Sequence, residues 1–328
     1  MIANWVFAIL LFLTCIIYYF TLPYLSVFSL LVPLLFIINL VFVLFWAIKR
    51  NRRLLLSLST LLIAYIVFGS FYRSNKESET HLDSDIKIMT YNVWGFNKNE
   101  WIKEPNIGDK IIDFIAEEDP DILCLQEHSR IRYRQLQQYP YRSETPYSQP
   151  RTIQAIFSKF PIVSSGSLDL PNTINNVIYA DLLIDSDTVR IYNIHLQSFN
   201  IVPSSETFSE EQSQKNYKRL VTTFEKQRQQ VEIFDEHRAS SPYRVIVTGD
   251  LNNTQFSSIY RILKGDLQDS FLEKGEKFGR TYNLFGFPLR IDYILAEPEF
   301  KILSHQNFDV KLSDHYPIVA TVRIKSEE

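Results

Sequence analysis

Val245-Ile246-Val247-Thr248-Gly249-Asp250-Leu251-Asn252 joins an apolar, β-branched run to a carboxylate and an amide. The apolar run predicts a buried strand over residues 245–248. Side chains two residues apart on extended backbone point to the same face, so Asp250 and Asn252 are expected to project together from the end of this strand. The alternative at this position is an Asx-turn that closes the strand.

Five other short motifs follow the same plan, with carboxylate, amide or imidazole groups at or just beyond the end of an apolar run. They are Thr90-Tyr91-Asn92-Val93-Trp94, Leu125-Gln126-Glu127, Asn193-Ile194-His195-Leu196, Arg290-Ile291-Asp292-Tyr293 and Ser313-Asp314-His315. Each motif alone is weak, but a sheet-based enzyme delivers polar groups to one rim in this way. The series therefore predicts one polar site at the rim of a sheet.

Taken in order, the six motifs resemble the endonuclease/exonuclease/phosphatase superfamily. This is the group of DNase I, AP endonucleases, inositol polyphosphate 5-phosphatases and neutral sphingomyelinases. The resemblance covers roughly residues 86 to 324 and leaves the N-terminus unexplained. It implies an α/β fold, a four-layer α/β sandwich of two mixed β-sheets flanked by helices.

The apolar periodicity of the chain predicts strands mixed with a few helices, which also favours stacked sheets with helices outside them. Strands are expected at residues 86–92, 121–125, 153–157, 178–183, 189–195, 245–248, 291–295 and 318–324, and helices at 108–118 and 215–238.

Glu127 is the residue expected to bind a metal ion, because it follows a buried strand and a charge there needs a partner. Mg²⁺ is held by one or two carboxylates together with waters and substrate phosphate. Asn92 ends the neighbouring strand and offers a carbonyl oxygen or holds a ligated water. A helix or turn cap is the alternative for either residue. The resemblance implies a metal site at Glu127, Asn92 and Asp314 for Mg²⁺, with Mn²⁺ as the alternative.

His315 is expected to contact a phosphate, which requires an acceptor on its other ring nitrogen to fix the tautomer. The resemblance implies that Asp292 is this acceptor. It also implies that Asp250 orients or deprotonates the attacking water, while Asn252 contacts the phosphate.

His195 completes the expected catalytic set as a phosphate donor or general acid. A satisfied core histidine is the alternative. A histidine here favours the DNase, phosphatase and sphingomyelinase side of the superfamily, since AP endonucleases usually carry a tyrosine in this region. The remaining histidines are interpreted as surface or linker residues: His81, His128, His237 and His305.

The N-terminal region predicts a membrane anchor. Residues 1–48 contain no Asp, Glu, Lys, Arg or His. A transmembrane helix needs about 20 mostly apolar residues, so two spans are expected at about 3–22 and 26–48. A third uncharged run extends from Leu54 to Tyr72. A cleaved signal peptide fits poorly, because no basic n-region precedes this long apolar stretch. We therefore expect three transmembrane helices.

The charges between the spans predict an orientation. Residues 49–53 carry four Lys/Arg, whereas the first interspan linker carries none, so the basic linker is expected in the cytoplasm. This predicts a multi-pass protein of the cytoplasmic (inner) membrane with its catalytic domain on the extracytoplasmic side. The expected domains are a membrane anchor at 1–72, a linker at 73–85 and a catalytic domain at 86–328.

The charge of the C-terminal part weighs against avid non-specific DNA binding. Of the 34 Lys/Arg and 37 Asp/Glu, residues 1–82 hold six and two, which leaves 28 against 35 for the rest. Non-specific DNA binding depends on phosphate neutralisation by cations. The Arg- and Tyr-rich stretch 129–150 suits phosphate and base contacts, although an exposed helix and loop is the simpler interpretation. Residues 199–211 predict a mobile surface loop, with a lid as the alternative.

The sequence as a whole predicts a divalent-metal-dependent phosphoesterase anchored in the membrane. Its expected partners are a phosphoester substrate (nucleic acid, phospholipid headgroup or inositol phosphate) and the lipid bilayer, through residues 1–72; no protein partner is inferred. One alternative is a catalytically inactive phosphoester-binding module of the same fold. Another is a transporter or sensor with an accessory domain, which the absence of charged residues within the spans disfavours.

Overall fold

The structure is a computed structural model that describes residues 2–74, 82, 84–147, 151–199, 210–284 and 286–325, without the side chains of residues 210 and 211. His81, most of the expected linker and residues 200–209 of the expected loop lie outside the described residues. The chain divides into two compact units. The helical unit comprises Met1–Phe71, Phe199–Val231 and Thr254–Leu263, and the sheet unit comprises Tyr72–Ser198, Glu232–Asn253 and Lys264–Glu328.

The sheet unit contains two six-stranded mixed sheets. The first sheet has the order β10-β14-β9-β8-β7-β6 and the second has the order β15-β16-β2-β3-β5-β4. The strands of the first sheet are β6 (Ile162–Ser167), β7 (Asn176–Ile184), β8 (Asp187–His195), β9 (Arg244–Asp250), β10 (Gln268–Asp269) and β14 (Asp292–Ala296). Those of the second are β2 (Ile86–Asn92), β3 (Ile122–Gln126), β4 (Tyr141–Glu144), β5 (Ala155–Ser158), β15 (Phe300–Asn307) and β16 (Ile318–Ile324). Two short pairs join β1 (Arg73–Ser74) to β11 (Glu276–Lys277) and β12 (Tyr282–Leu284) to β13 (Phe287–Leu289).

The core between the two sheets comes from alternate residues of the central strands, because side chains of period two share a face. Ile86 and Ile88 of β2 meet Ile191 of β8 and Ile246 of β9 in one buried apolar cluster. β2 runs parallel to β3 in one sheet, and β8 runs parallel to β9 in the other. Four of the six polar motifs therefore lie at the carboxyl ends of these strands, whereas those of Asp292 and His315 lie at the start of β14 and before β16.

Helices cover the outer faces of both sheets. α5 (Ile107–Glu118) buries Ile111 and Ile115 in an apolar cluster with Leu123 and Phe157 of the second sheet. The last part of α6 (Glu210–Ala239) places Phe234 edge-on to Tyr192 of the first sheet, with ring centroids 5.1 Å apart. Two sheets flanked by helices agree with the expected α/β sandwich. Two short helices, α7 (Ser258–Lys264) and α8 (Ser270–Lys274), were not expected.

The helical unit contains α1 (Ile2–Ile17), α2 (Pro23–Ser26), α3 (Val32–Ile48) and α4 (Leu54–Phe68), with a 3-10 turn over Val27–Leu31. Its core contains Leu11, Leu35 and Ala64. Phe256, from the segment that follows β9, belongs to the same cluster and stacks on Phe71 at 4.8 Å. This segment is therefore part of the helical unit, although its sequence lies far from the N-terminus.

One helix in the described part of the chain is long and apolar enough to cross a membrane, the 26-residue run Pro23–Ile48. α1 and α4 are also apolar but have only 16 and 15 residues. They are shorter than the spans expected at 3–22 and 54–72, so the described residues contain one candidate transmembrane helix and not the three expected. α4 ends early because Gly69 takes a positive φ of 79°, which a helix does not continue through.

Candidate active site

Three neighbouring strands of the first sheet align His195, Asp250 and Asp292 in one row. Asp250 lies opposite His195 in the parallel β8–β9 pair and opposite Asp292 in the antiparallel β9–β14 pair. All three side chains are at most 2% exposed. The row forms because these residues occupy inward-facing positions of their strands. His195 and Asp250 lie two residues after Asn193 and Thr248, and Asp292 lies two residues before Ile294 on the antiparallel β14.

The Asp250 carboxylate is the centre of this row. Its Oδ2 accepts hydrogen bonds from the side-chain amides of Asn92 and Asn252, each at 3.2 Å. The Nε2 atoms of His195 and His315 both face the same oxygen at 3.7 Å. This distance is too long for a direct hydrogen bond, and a water or substrate oxygen is the usual bridge across such a gap. Burial raises the pKa of Asp250 to about 6, with Asp292 adding to the rise while His315 opposes it.

His315 is held by Asp292 as the sequence predicts. Its Nδ1 lies 2.9 Å from Asp292 Oδ2 and 3.2 Å from Oδ1. Burial alone would lower the pKa of this imidazole, but the negative charges of Asp292 and Asp250 outweigh it and raise the pKa well above its usual range. These charges favour the protonated ring, whose Nε2–H faces Asp250.

His195 also faces Asp250, but its ring has a different hydrogen-bonding environment from that of His315. Its Nε2 is 3.7 Å from Asp250 Oδ2 and 3.9 Å from Glu127 Oε1. Its Nδ1 is buried and has no hydrogen-bond partner among the described residues. The two imidazoles thus converge on one carboxylate, but only that of His315 has its tautomer fixed by a second carboxylate.

Asn252 forms the Asx-turn that was the alternative interpretation of its motif. Its backbone N–H donates to Asp250 Oδ1 at 2.7 Å, and its side-chain amide donates to Leu196 O at 3.0 Å and to Asp250 Oδ2. The Asx-turn and the expected role of this motif are therefore compatible, since the contacts that form the turn also orient the Asp250 carboxylate. A phosphate contact by Asn252 remains a prediction.

Glu127, Asn92 and Asp314 lie at the ends of strands in the second sheet and in the loop before β16. Glu127 follows β3 with a positive φ of 50° and a half-buried side chain. Asn92 Nδ2 lies 3.4 Å from Glu127 Oε1, and Ser313 Oγ donates to Asn92 O at 2.8 Å. Ser313 thereby ties the loop that carries Asp314 to the end of β2. Burial and the nearby charge of Glu127 raise the pKa of Asp314.

These donors fit a hard divalent cation. Glu127 and Asp314 are half-buried carboxylates that raise each other's electrostatic energy, and a cation removes that repulsion. Oxygen ligands are those that Mg²⁺ and Mn²⁺ prefer. Asn92 contributes differently from the expectation. Its amide nitrogen donates to both Glu127 and Asp250 and so bridges these two carboxylates, while its Oδ1 accepts the Trp94 N–H at 3.2 Å.

Asp250, Asp292 and His315 form a second compact group, with one ligand atom of each within 4.8 Å of the others. The 2.9 Å contact between His315 Nδ1 and Asp292 is a hydrogen bond that orients the ring. The site therefore offers two groups of acidic side chains, this one with an imidazole and the oxygen-rich one around Glu127.

Two residues at the site carry no sequence signal that singled them out. Tyr282, on the three-residue strand β12, places its ring 5.1 Å from that of His315. Ser313 belongs to one of the six motifs without an expected role of its own, yet its hydroxyl ties the loop that carries Asp314 to Asn92 O. A short strand and a common hydroxyl residue have no pattern that distinguishes them from surface positions.

The interpretation of His128 and His305 as surface or linker residues was wrong. His128 is 4% exposed and lies edge-on to the rings of Phe96 and Phe157, while His305 is 8% exposed within β15. Burial, aided by the charges of Arg130 and Arg142, lowers the pKa of His128 to about 3. Both rings are buried by residues that are distant in the sequence, so the local pattern of apolar residues did not predict their burial.

The Arg- and Tyr-rich stretch forms a 3-10 helix, Arg130–Leu136, followed by β4. Arg130 pairs with Glu144 and stacks on Tyr147, and Arg132 pairs with Asp109. Two of its four arginines are thus neutralised within the fold, in keeping with the simpler interpretation of a solvated surface.

Comparison with known families and structures supports the fold described above. A model of the "Endonuclease/Exonuclease/phosphatase family" matches residues 89–315, and a model described as a domain of unknown function matches residues 1–71. No curated protein matches the chain.

Solved structures share the fold at low identity. The human Nocturnin catalytic domain with bound sulfate is 17% identical, with a TM-score of 0.56 over 75% of this chain and 97% of that one. D. rerio TDP2 complexed with single-strand DNA product is 16% identical, with a TM-score of 0.55 over 74% and 100%. An endonuclease/exonuclease/phosphatase from Bacteroides vulgatus is 16% identical, with a TM-score of 0.55 over 74% and 99%.

Proposed function

Since the chain belongs to the endonuclease/exonuclease/phosphatase family, we propose that it is a divalent-metal-dependent phosphoesterase that hydrolyses a phosphodiester of nuclease or lipid-headgroup type. The observation that carries this proposal is the convergence of the His195 and His315 imidazoles on Asp250 Oδ2, each at 3.7 Å. Two donors and a base facing one gap are what attack on a phosphorus centre requires.

In this proposal Asp250 accepts a proton from the attacking water. Its raised pKa of about 6 lies close to neutrality, where a general base combines a high ionised fraction with useful basicity. The water oxygen forms a bond to phosphorus as the bond to the leaving oxygen breaks. Asn92 and Asn252 keep the carboxylate in place through their amide donors.

The two histidines stabilise the phosphoryl group and the leaving oxygen. His315 is held in its protonated form by Asp292 and offers Nε2 to a non-bridging oxygen. His195 offers its Nε2 from the other side of Asp250 as a phosphate donor or as the acid that protonates the leaving oxygen. A divalent cation bound by Glu127 and Asp314, Mg²⁺ in our proposal with Mn²⁺ as the alternative, would neutralise charge on the phosphoryl oxygens, while Asn92 holds the Glu127 and Asp250 carboxylates beside it.

We also propose that residues 1–72 anchor the protein in the cytoplasmic membrane, with Pro23–Ile48 as a full-length span and the shorter α1 and α4 as two further spans, followed by a linker at 73–85 and the catalytic domain at 86–328. The distribution of polarity in the helical unit supports this. Asn4 and Ser57 are buried and hydrogen-bonded to each other at 2.6 Å between α1 and α4, and Asn39 donates to Phe7 O at 3.1 Å. The outward-facing side chains of α1, α3 and α4 are mostly large and apolar. Polar contacts inside and apolar residues outside are typical of helices packed in lipid.

The substrate is best identified with the full chain in detergent or nanodiscs. The panel comprises plasmid and single-stranded DNA, sphingomyelin or phosphatidylinositol vesicles, and a soluble inositol polyphosphate, each with Mg²⁺ or with EDTA. We expect EDTA-sensitive cleavage of one class. Single-stranded DNA belongs in the panel because D. rerio TDP2 was solved with such a product.

Folded protein that cleaves no member of the panel, yet binds one of them in a Mg²⁺-dependent manner, would replace the proposal with an inactive phosphoester-binding module. The filled polar positions around Asp250 disfavour that alternative, since a binding module has no need of a buried base.

A further inference from the structure

A layer of buried polar side chains lies one step below the candidate site, between the two sheets. We call the four side chains the polar layer; each is 0% exposed, and they are Thr90, Gln126, Gln154 and Asn193. Thr90 and Asn193 occupy the inward positions two residues before Asn92 and His195. The next inward positions, such as Ile88 and Ile191, are apolar. The polar layer therefore separates the apolar core from the site residues.

Asn193 links the two sheets within the polar layer. It belongs to β8 of the first sheet, and its Nδ2 donates to Leu125 O and Ala155 O of the second sheet, each at 2.9 Å. Leu125 and Ala155 form the last pair of the β3–β5 ladder. Beyond this pair the regular ladder is interrupted at Gln126 and Glu127, and backbone pairing resumes where the His128 N–H donates to Ile153 O at 2.8 Å. The Asn193 amide thus lies at the point where the ladder is interrupted.

Gln126 makes the second connection. Its Nε2 donates to Asn193 Oδ1 at 2.8 Å and to Thr90 Oγ1 at 2.9 Å. It is the residue directly before Glu127, so the link reaches the carboxylate through one peptide unit. Asn193 stands two residues before His195 on the other sheet. One short chain of hydrogen bonds therefore connects the backbone on both sides of the site.

The stability of the fold alone does not explain the polar layer. Oε1 of Gln126 and Oε1 of Gln154 are buried and have no partner among the described residues. A buried acceptor without a partner costs folding free energy, and a well-packed apolar core would avoid that cost. Retaining amides at these positions indicates a directional role that apolar side chains cannot fill.

We propose that Asn193, acting through Gln126 and the carbonyl groups of Leu125 and Ala155, is a positioning residue that fixes Glu127 relative to His195 and Asp250. This rests on the proposed function, because it assigns Glu127 to the metal and the other two to proton transfer and phosphate contact. Glu127 has a left-handed backbone at φ 50°, a conformation that persists only where its surroundings hold it. The contacts of Asn193 immediately before it supply that support.

The test uses Mn²⁺ binding by the full chain in detergent, measured by electron paramagnetic resonance, together with kcat and KM on a soluble phosphoester. Asn193→Leu removes the hydrogen bonds at similar volume. Ile191→Val is the matched control, since it lies one inward position deeper on β8 and touches no member of the polar layer by hydrogen bond. Supporting groups of metal ligands typically contribute about 10- to 100-fold in affinity or activity.

We expect Asn193→Leu to weaken Mn²⁺ binding by about tenfold or more and to lower kcat, with KM nearly unchanged, while Ile191→Val alters neither. If Asn193→Leu does not fold, Gln126→Leu carries the same expectation. Native-like Mn²⁺ affinity and kcat in a folded variant would overturn the inference and leave the proposed function intact. A native chain that binds no Mn²⁺ would overturn both.

Discussion

The orientation of the Asp250 carboxylate depends on a residue of another strand and on the turn that follows Asp250. Its two oxygens accept from Asn92, from the Asn252 side chain and from the Asn252 backbone. The apolar pattern of the sequence predicted a carboxylate at the end of a buried strand, and the resemblance to the superfamily implied that Asp250 orients or deprotonates the attacking water. It did not predict that Asn92 would bridge to Asp250, since the two residues are 158 positions apart.

Replacing Asp250 by Asn should lower kcat by about 10²- to 10⁴-fold, the usual contribution of a general base. The amide keeps the size of the side chain but cannot accept the proton of the attacking water. The measurement is kcat on the substrate that the panel identifies. Asp266→Asn is the control, because Asp266 is an exposed carboxylate and its side chain is 67% accessible. Equal loss in both variants would contradict the assignment.

His305 predicts a pH dependence of stability away from the site. Its Nδ1 lies 2.8 Å from Ser270 Oγ and its Nε2 lies 3.2 Å from Asn307 Oδ1, which suits the neutral ring. Burial lowers its pKa from 6.5 to about 4. Between these values the unfolded chain binds a proton that the folded chain does not, so stability is complete above about 6.5 and is lost as pH falls toward 4.

We expect the thermal midpoint of the native chain to fall between pH 7.5 and pH 5 by more than that of His305→Gln, which cannot titrate. The difference corresponds to roughly 2 kcal/mol at pH 5. The comparison at pH 7.5 isolates the loss of hydrogen bonds, which affects the variant at both pH values. Parallel curves for the two chains would show that folding does not lower the pKa of His305.

At the scale of elements, the sequence predicted the central strands and missed the edge strands. β2 and β16 have the predicted carboxyl ends, and β8 and β9 lie close to their predicted bounds. The unpredicted strands of the two large sheets all lie at sheet edges: β4, β6, β10 and β15. An edge strand is partly solvated, so polar residues occupy it and the apolar alternation disappears. Tyr141-Arg142-Ser143-Glu144 in β4 is the clearest case.

Gly249 is the position where the backbone of one element constrains the next. Its φ is +127°, and a Cβ there would lie 2.0 Å from Ile194 O on β8. Gly249→Ala should therefore cost about 1–3 kcal/mol for the backbone conformation and about 1–3 kcal/mol for overpacking. Because the next residue is Asp250, activity should fall together with stability.

The matched control is Gly286→Ala. Gly286 also has a positive φ, +80°, but no heavy atom lies within 4 Å of its added Cβ. It should lose only the backbone contribution. Thermal midpoints of the two variants measure the difference, and equal shifts would show that the approach of Gly249 to Ile194 does not constrain β8 and β9.

At the scale of the whole molecule, the sequence predicted an apolar N-terminal part and a polar remainder from charge alone. It did not predict that Thr254–Leu263 packs within the helical unit. Gln255 donates to Phe68 O at 3.0 Å, and Arg261 donates to Tyr18 O at 2.9 Å. Such contacts join segments more than 180 residues apart, and no local pattern encodes the pairing.

The proposed topology predicts opposite reporter results at two positions. A reporter that is active only in the cytoplasm should be inactive when fused at the C-terminus and active when fused after the basic residues 49–53. Replacing Lys49, Arg50, Arg52 and Arg53 by Gln should abolish the preference, because these cations set the orientation. Cytoplasmic activity at the C-terminus of the native chain would reverse the proposed orientation.

The central claim is metal-dependent phosphoester hydrolysis at the rim that carries Glu127 and Asp250. Its most direct test is hydrolysis of bis(p-nitrophenyl) phosphate by the full chain during a Mg²⁺ titration after EDTA treatment, compared with Glu127→Gln. We expect saturable activation of the native chain, and a variant that is either inactive or needs much more Mg²⁺. Activity that persists in EDTA, or identical titrations for the two chains, would contradict the claim.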